Sequence, residues 1–136
     1  MTGNGPILSA AEIVRATGGI LLTDDLNWSC RGISTDTRTL ASGNLFVALA
    51  GDRFDGHDCL TEAARRGAAG LVVRSDARMK LDVLPQPLPA IGVPDTLQAL
   101  GAIAGDWRRR FPAPLVAITG SSGKTTTKEM AATIAV

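Results

Sequence analysis

Residues 44–74 read "NLFVALAGDRFDGHDCLTEAARRGAAGLVVR", and the order of elements in this stretch indicates the fold class. It begins with a short β-like run, "NLFVAL", and continues through a polar loop with two glycines. Asp58 can then cap a helix over residues 59–66, and Gly67 supplies the left-handed position that ends it. "AAGLVVR" follows as a buried strand. Strand, loop, helix and strand in this order predict an α/β unit.

The residues before this stretch contain a helix signal and two strand signals. Ser9 and Glu12 have the spacing of a capping box, and a glycine pair follows, which predicts a short helix over residues 10–17. Residues 20–22 and 30–36 read as short strands, the second separated from "NLFVAL" by the turn-rich "TLASG".

Composition changes after this α/β unit. Four prolines fall within the ten residues from Pro85 to Pro94, and proline cannot continue a helix or a central strand. We therefore predict a linker containing one short strand, "AIGV", and a domain boundary near residue 85, which gives domains at 1–84 and 85–136. Asp95 then caps a predicted helix, "TLQALGAIAGDWRRRF", which the prolines at 112 and 114 end.

The end of the sequence has the pattern of a phosphate-binding loop. An apolar strand, "LVAIT", leads into a glycine turn and then into a helix that starts at Lys124. Backbone N–H groups at such a helix start attract phosphate, Lys124 can neutralise the β and γ oxygens of ATP, and the Thr125 hydroxyl can complete a Mg²⁺ shell. We predict Lys124 as a catalytic residue and an ATP site formed by Gly120, Ser121, Ser122, Gly123, Lys124, Thr125 and Thr126.

This loop departs from the strict phosphate-loop pattern, because Ile118 stands where the first glycine would fall. The alternative interpretation is an ordinary glycine turn capped by serine and threonine. Its position between a buried strand and a helix favours phosphate binding.

Charge and composition exclude several classes of function. The 136 residues carry 14 basic and 13 acidic side chains, so no global field attracts nucleic acid or an anionic membrane. The chain has no apolar run of membrane-spanning length and no signal-peptide pattern, which predicts a cytoplasmic location without membrane insertion. Its two cysteines have no metal-type spacing and are expected to be free thiols.

Two segments, in family order, resemble the Mur ligases. "TGSSGKTTTKEM" at residues 119–130 resembles the ATP loop of that family, and its Ser-Ser pair looks more like the MurF type than the MurE type, which usually reads Thr-Asn there. "STDTRTLASGNLFVALAGDRFDGHDCLTEAARRGAAGLVV" at residues 34–73 resembles the N-terminal domain that both types share. The resemblance implies a small α/β UDP-substrate domain followed by the first elements of a P-loop parallel-sheet ATP domain.

In that family the N-terminal domain holds the UDP part of the substrate. The resemblance implies that Thr35 and Thr37 contact uracil or ribose, and that Asp52, Arg53 and Phe54 line the adjacent face. This is physically reasonable, because hydroxyls can bond a nucleoside, Arg53 can meet a diphosphate and Phe54 can stack on a flat base.

Structural alternatives stay open for these and the neighbouring side chains. Asp36 and Arg38 could simply pair with each other, and Phe54 could plug the core beneath the loop. His57, the only histidine, fits better as a hydrogen-bonded loop residue orienting Asp55 or the backbone than as a general base or metal ligand.

For the whole enzyme, the resemblance implies an ATP- and Mg²⁺-dependent ligase of peptidoglycan precursor synthesis. Such an enzyme joins D-alanyl-D-alanine to UDP-N-acetylmuramoyl-tripeptide through an acyl phosphate. Since the sequence holds only the start of the ATP domain, we expect no ligase activity from it alone, and an exposed sheet edge at residues 115–119 through which it could self-associate. A MurE-like ligase or a free-standing nucleotide-binding module are the alternatives.

Overall fold

The computed structural model describes residues 7–110. The predicted strand at residues 115–119, the phosphate-binding loop and the helix after it lie outside these residues. The described elements, in chain order, are β1 (Ile7–Ser9), α1 (Ala10–Thr17), β2 (Ile20–Leu21), β3 (Ser29–Arg31), β4 (Ile33–Ser34), β5 (Leu45–Val47), a 3₁₀ helix (Gly56–Cys59), α2 (Leu60–Arg65), β6 (Gly70–Arg74), a second 3₁₀ helix (Ser75–Leu81), β7 (Ala90–Val93) and α3 (Thr96–Arg108).

A five-stranded sheet in the order β2-β7-β6-β5-β4 forms the centre of the molecule. Strands β4, β5, β6 and β7 run parallel, and β2 pairs antiparallel with β7 at one edge. β1 and β3 form a separate antiparallel pair. The carboxyl ends of four strands therefore meet along one edge of the sheet. This confirms the α/β class.

Both faces of this sheet are buried, and side chains alternate between them as the strand period requires. One face packs against α2 and the second 3₁₀ helix, and its core includes Phe46, Leu60, Ala63, Leu71, Val73 and Ala77. The other face packs against α1 and α3, and its core includes Ile13, Leu45, Val47, Val72, Ile91 and Ile103. The result is a three-layer arrangement.

Two predicted helix starts are confirmed at atomic detail. The backbone N–H of Glu12 donates to Ser9 Oγ at 3.2 Å, and the N–H of Ser9 donates to Glu12 Oε2 at 2.7 Å, so both halves of the capping box form. Asp95 Oδ1 accepts from the N–H groups of Leu97 and Gln98 at 2.9 and 3.1 Å. Local sequence was sufficient in both places because each cap involves residues within one turn.

The predicted cap of the middle helix is wrong. A 3₁₀ turn at Gly56–Cys59, capped by Asp55, precedes α2, and the N-cap position of α2 itself is Cys59, which makes no side-chain cap bond. Asp58 instead accepts from Lys80 Nζ at 2.9 Å. The carboxylate of Asp55 is favoured as the cap because it is also the partner of the buried His57 ring.

Residues on both sides of position 85 belong to one sheet. β7 pairs with β6 on one side and β2 on the other, and α3 contributes Ile103 to the same core as α1. A domain boundary near residue 85 would divide this sheet, so the described residues favour one unit through Arg108. The predicted strand "AIGV" is confirmed as β7, and the prolines at 89 and 94 flank it, so its own N–H groups are free to pair.

Candidate functional site

An open groove of about 610 Å³ lies at the carboxyl edge of the parallel strands. The segments that follow β4 and β5 form its walls, and it is lined by Thr35, Asp36, Thr37, Arg38, Leu49 and Phe54. Ligands of open α/β sheets bind outside the carboxyl ends of the strands. The groove is therefore the strongest candidate for a binding site among the described residues.

The wall after β4 is a turn that the chain holds by its own hydrogen bonds. Ser34 Oγ donates to the carbonyl of Asp36 at 2.8 Å, and the N–H of Asp36 donates back to Ser34 Oγ at 3.2 Å. The N–H of Thr39 donates to the same Asp36 carbonyl at 3.2 Å. These bonds fix the backbone on which Thr35 and Thr37 stand.

Asp36 and Arg38 form a two-pronged ion pair along this wall. Arg38 Nη2 donates to Asp36 Oδ2 at 2.8 Å, and Arg38 Nε donates to Asp36 Oδ1 at 3.0 Å. Side-chain hydrogen bonds from Arg38, together with its backbone N–H, lower the pKa of Asp36 to about 2. This confirms the alternative that Asp36 and Arg38 pair with each other.

The two threonines that flank Asp36 keep their hydroxyls available. Thr35 and Thr37 are half-buried and line the groove. Within residues 7–110, neither hydroxyl has a hydrogen-bond partner, whereas Asp36 and Arg38 satisfy each other. A ligand in the groove therefore meets two uncommitted hydroxyl groups.

The second wall is the loop from Ala50 to Asp55. Its ends form an isolated antiparallel bridge, and the N–H of Gly51 donates to the carbonyl of Phe54 at 2.6 Å. Phe54 is 56% exposed although it lines the groove, so it is no core plug. An aromatic ring held at a groove wall in this way can stack on a flat ligand.

The structure brings only some of the predicted site residues together. Thr35, Thr37 and Phe54 line the groove, whereas Asp52 and Arg53 lie at the exposed tip of the loop and do not. The turn that joins Gly51 to Phe54 puts the two charged residues between them at the tip.

Leu49 lines the groove and was missed by the sequence analysis. It is the second residue after β5 (Leu45–Val47), and only Ala48 separates it from the strand. The signal that could have found it is the rule that residues just after parallel strands form the ligand-binding edge.

The "DGH" sequence holds the loop against the sheet. The N–H of Gly56 donates to the carbonyl of Leu49 at 2.6 Å. A Cβ on Gly56 would lie 2.8 Å from the backbone N of Leu49 and 2.9 Å from its O, which only glycine avoids. His57 is buried, with Nδ1 2.7 Å from Asp55 Oδ1 and Nε2 accepting from the N–H of Arg74 at 2.9 Å. The interpretation of His57 as a hydrogen-bonded loop residue is confirmed.

The described residues hold no cluster of three or more His, Cys, Asp or Glu side chains arranged to bind a metal ion. Cys30 is buried and Cys59 half-buried, and both are free thiols. No helix in the described part has the length and apolarity to span a bilayer. The predicted ATP site at Gly120–Thr126, with Lys124 and the Mg²⁺ ligand Thr125, lies outside residues 7–110.

Comparison with known proteins gives a consistent set of relatives. A family model described as "Mur ligase family, catalytic domain" matches residues 29–108. The chain is 46% identical over 120 residues to a UDP-N-acetylmuramoyl-tripeptide–D-alanyl-D-alanine ligase of Escherichia coli K12, covering 83% of this chain and 25% of that protein. It is 42% identical over 113 residues to the enzyme of the same name from Synechocystis, covering 83% and 24%.

Solved structures agree with the sequence relatives. A crystal structure of MurF from Acinetobacter baumannii matches with a TM-score of 0.79 and 31% identity, covering 97% of this chain and 28% of that one. MurF ligase from Thermotoga maritima in complex with ADP matches with a TM-score of 0.56 and 33% identity, covering 74% and 22%.

The region that the family model matches, residues 29–108, covers the described unit from β3 to α3 and leaves out β1, α1 and β2. The family model ends at residue 108, where α3 also ends, so it includes β7 and α3. The chain spans about a quarter of the length of the curated relatives it matches. From these matches and the shared fold, the chain belongs to the Mur ligase family.

Proposed function

We propose that residues 7–108 bind the uridine diphosphate part of a UDP-N-acetylmuramoyl-tripeptide, as a substrate domain of a D-alanyl-D-alanine-adding ligase. The observation that carries this proposal is the groove, in which an exposed aromatic ring and two uncommitted hydroxyls share one edge of the sheet. The names of the E. coli and Synechocystis relatives support the choice of ligase.

The groove offers a nucleoside the contacts that it needs. Phe54 presents a ring on which uracil can stack, and stacking tolerates the partial exposure seen here. Thr35 and Thr37 can donate to or accept from base or ribose oxygens. Arg53, at the loop tip beside Asp52, remains our candidate for the diphosphate, because an exposed guanidinium can reach a charge outside the groove.

The remaining chemistry is proposed for the complete ligase. ATP with Mg²⁺ would supply the γ-phosphoryl group that turns the tripeptide carboxylate into an acyl phosphate with release of ADP, and the amine of D-alanyl-D-alanine would then displace phosphate to form the amide. We propose Gly120–Thr126 for ATP, with Lys124 as the charge-neutralising group and Thr125 toward Mg²⁺, in a second domain that begins after α3. A cytoplasmic site of action is part of the same proposal.

Calorimetric titration of the 136-residue chain with UDP, uridine and ADP tests this function. We expect UDP to bind, uridine to bind more weakly, and Arg53→Ala to reduce UDP affinity toward that of uridine. Arg78→Ala is the matched control, because that exposed arginine lies on the second 3₁₀ helix, away from the groove. Binding of ADP without UDP would instead favour a free-standing nucleotide-binding module.

A second reaction is compatible with the same groove. The chain is 38% identical, over 92% of its length, to a UDP-N-acetylmuramoyl-L-alanyl-D-glutamate–2,6-diaminopimelate ligase of Gloeobacter violaceus. Both substrates carry UDP, so the groove serves either one. Assay of the full-length protein with D-alanyl-D-alanine and with diaminopimelate distinguishes the two ligases.

We propose that the 136-residue chain alone is inactive as a ligase, because it spans only about a quarter of the length of the relatives it matches. Phosphate release measured with ATP, UDP-N-acetylmuramoyl-tripeptide and D-alanyl-D-alanine tests this proposal. Turnover above the level without enzyme would contradict it. Sedimentation of the same sample would show whether the chain self-associates.

A further inference from the structure

We propose that His57 is a positioning residue for the groove: it braces the loop that carries Phe54 against the end of β6. This inference rests on the proposed uridine site, because Phe54 is the wall that such a ligand would contact. His57 itself does not line the groove.

The brace begins in the interior of the protein. The side chain of His57 is 0% exposed, and each of its ring nitrogens has a partner. The N–H of Arg74 can only donate, so Nε2 is the acceptor and Nδ1 carries the proton that it donates to Asp55. One neutral tautomer therefore satisfies both contacts at once.

At its outer end the brace holds the loop directly. Asp55 follows Phe54 in the chain, pairs with Ala50 in the bridge that closes the loop, and accepts from the backbone N–H of His57 at 2.9 Å. Hydrogen bonds from the backbone and the ring of His57 lower the pKa of Asp55, so its carboxylate is ionised and a strong acceptor. Any movement of Asp55 moves Phe54 with it.

At its inner end the brace reaches a rigid element. Arg74 is the last residue of β6, and that strand lies between β5 and β7 with residues 70–73 fully buried. The loop, in contrast, has exposed residues from Ala50 through Phe54. His57 thus connects an exposed loop to a central strand whose position is fixed by its neighbours. A backbone turn within the loop cannot make this connection by itself.

A double-mutant cycle on UDP affinity tests the brace. His57→Phe keeps an aromatic ring at this position but removes both hydrogen bonds, and we expect it to weaken UDP binding about tenfold. In the Phe54→Ala background the same change should alter affinity less than about twofold, because the wall on which it acts is gone. Equal losses in both backgrounds, or no loss in either, would overturn the proposal.

A second pair of variants covers the case in which His57→Phe fails to fold. Asp55→Ala removes the outer end of the brace and leaves the ring in place, and it replaces His57→Phe in the same cycle. Asp55→Asn keeps an oxygen that accepts from Nδ1, so it should restore most of the affinity lost in Asp55→Ala. Equal affinity losses for Asp55→Asn and Asp55→Ala would overturn the proposal.

Amide hydrogen exchange separates this inference from the proposed function. The N–H groups of Gly51 and Gly56 are bonded to Phe54 and Leu49, and they report on the loop without any ligand. Faster exchange at Gly51 in His57→Phe, with α1 unchanged, supports the brace even if the wild-type chain does not bind UDP. Unchanged exchange there overturns the brace even if UDP binds.

Discussion

At the scale of single residues, the Asp36–Arg38 pair determines what the groove wall can offer. Its two charges satisfy each other, which leaves the neighbouring hydroxyls of Thr35 and Thr37 for a ligand. The pair is partly exposed, with side-chain exposures of 86% for Arg38 and 38% for Asp36, so we assign it a role in shaping the wall more than in stabilising the fold.

The pKa of Asp36 predicts how the stabilising effect of the ion pair depends on pH. The folded-state pKa of Asp36, about 2, lies below its ordinary value of 3.8, so the pair's stabilising effect is present above pH 3.8 and is lost as pH falls toward 2. Arg38→Met removes the side-chain bonds but keeps the backbone N–H, so the pKa should rise part of the way to 3.8. Carbon NMR titration of the carboxyl group measures it, and an unchanged pKa of about 2 would refute this cause.

The exposed ring of Phe54 leads us to predict its contribution to UDP affinity. Phe54→Ala should weaken UDP binding by about 1–3 kcal/mol, the usual contribution of a base stacked on an aromatic ring. Stability should change little, because the side chain is 56% exposed. Leu97→Ala is the matched control, since Leu97 is 65% exposed and does not line the groove. Equal affinity for UDP in the two variants would count against stacking.

At the scale of elements, the sequence correctly predicted the helix caps and strands that depend only on neighbouring residues. The capping box of α1, the Asp95 cap of α3 and the buried strands were predicted correctly because each depends on spacing within a few residues. The short strand "AIGV" was also predicted correctly, but its place inside the sheet was not, because that place depends on the distant partners β6 and β2. The sequence suggested Phe54 for the site but did not show that the turn from Gly51 to Phe54 places Asp52 and Arg53 outside the groove.

Two glycines give a matched test of how the loop is seated. Gly56→Ala places a Cβ 2.8 Å from the backbone N of Leu49, and we expect a loss of about 1–3 kcal/mol in the free energy of unfolding. Gly101→Ala, in α3 with no atom within 4 Å of the new Cβ, should instead stabilise the protein by about 0.5–1 kcal/mol. Urea unfolding measures both, and a neutral Gly56→Ala would show that Gly56 is not packed tightly against the backbone of Ala48 and Leu49.

At the scale of the whole molecule, the groove results from the parallel sheet. Four strands end at one edge, and the segments after β4 and β5 form the two walls. The third layer, α1 and α3, buries the other face, and Arg110 joins the two helices through Glu12 Oε1 at 3.0 Å. The sheet that carries the site is therefore complete only in the unit through α3, because shortening the chain to residue 84 would remove β7, which pairs with β6 and β2.

The central claim is that this unit binds a uridine nucleotide in the groove. Titration of the ¹⁵N-labelled 136-residue chain with UDP, followed by NMR, tests it most directly. We expect saturable shifts in the amides of residues 35–38 and 49–54. The account would be contradicted if UDP produced no saturable shift, or shifted residues of the second 3₁₀ helix while leaving the groove unchanged.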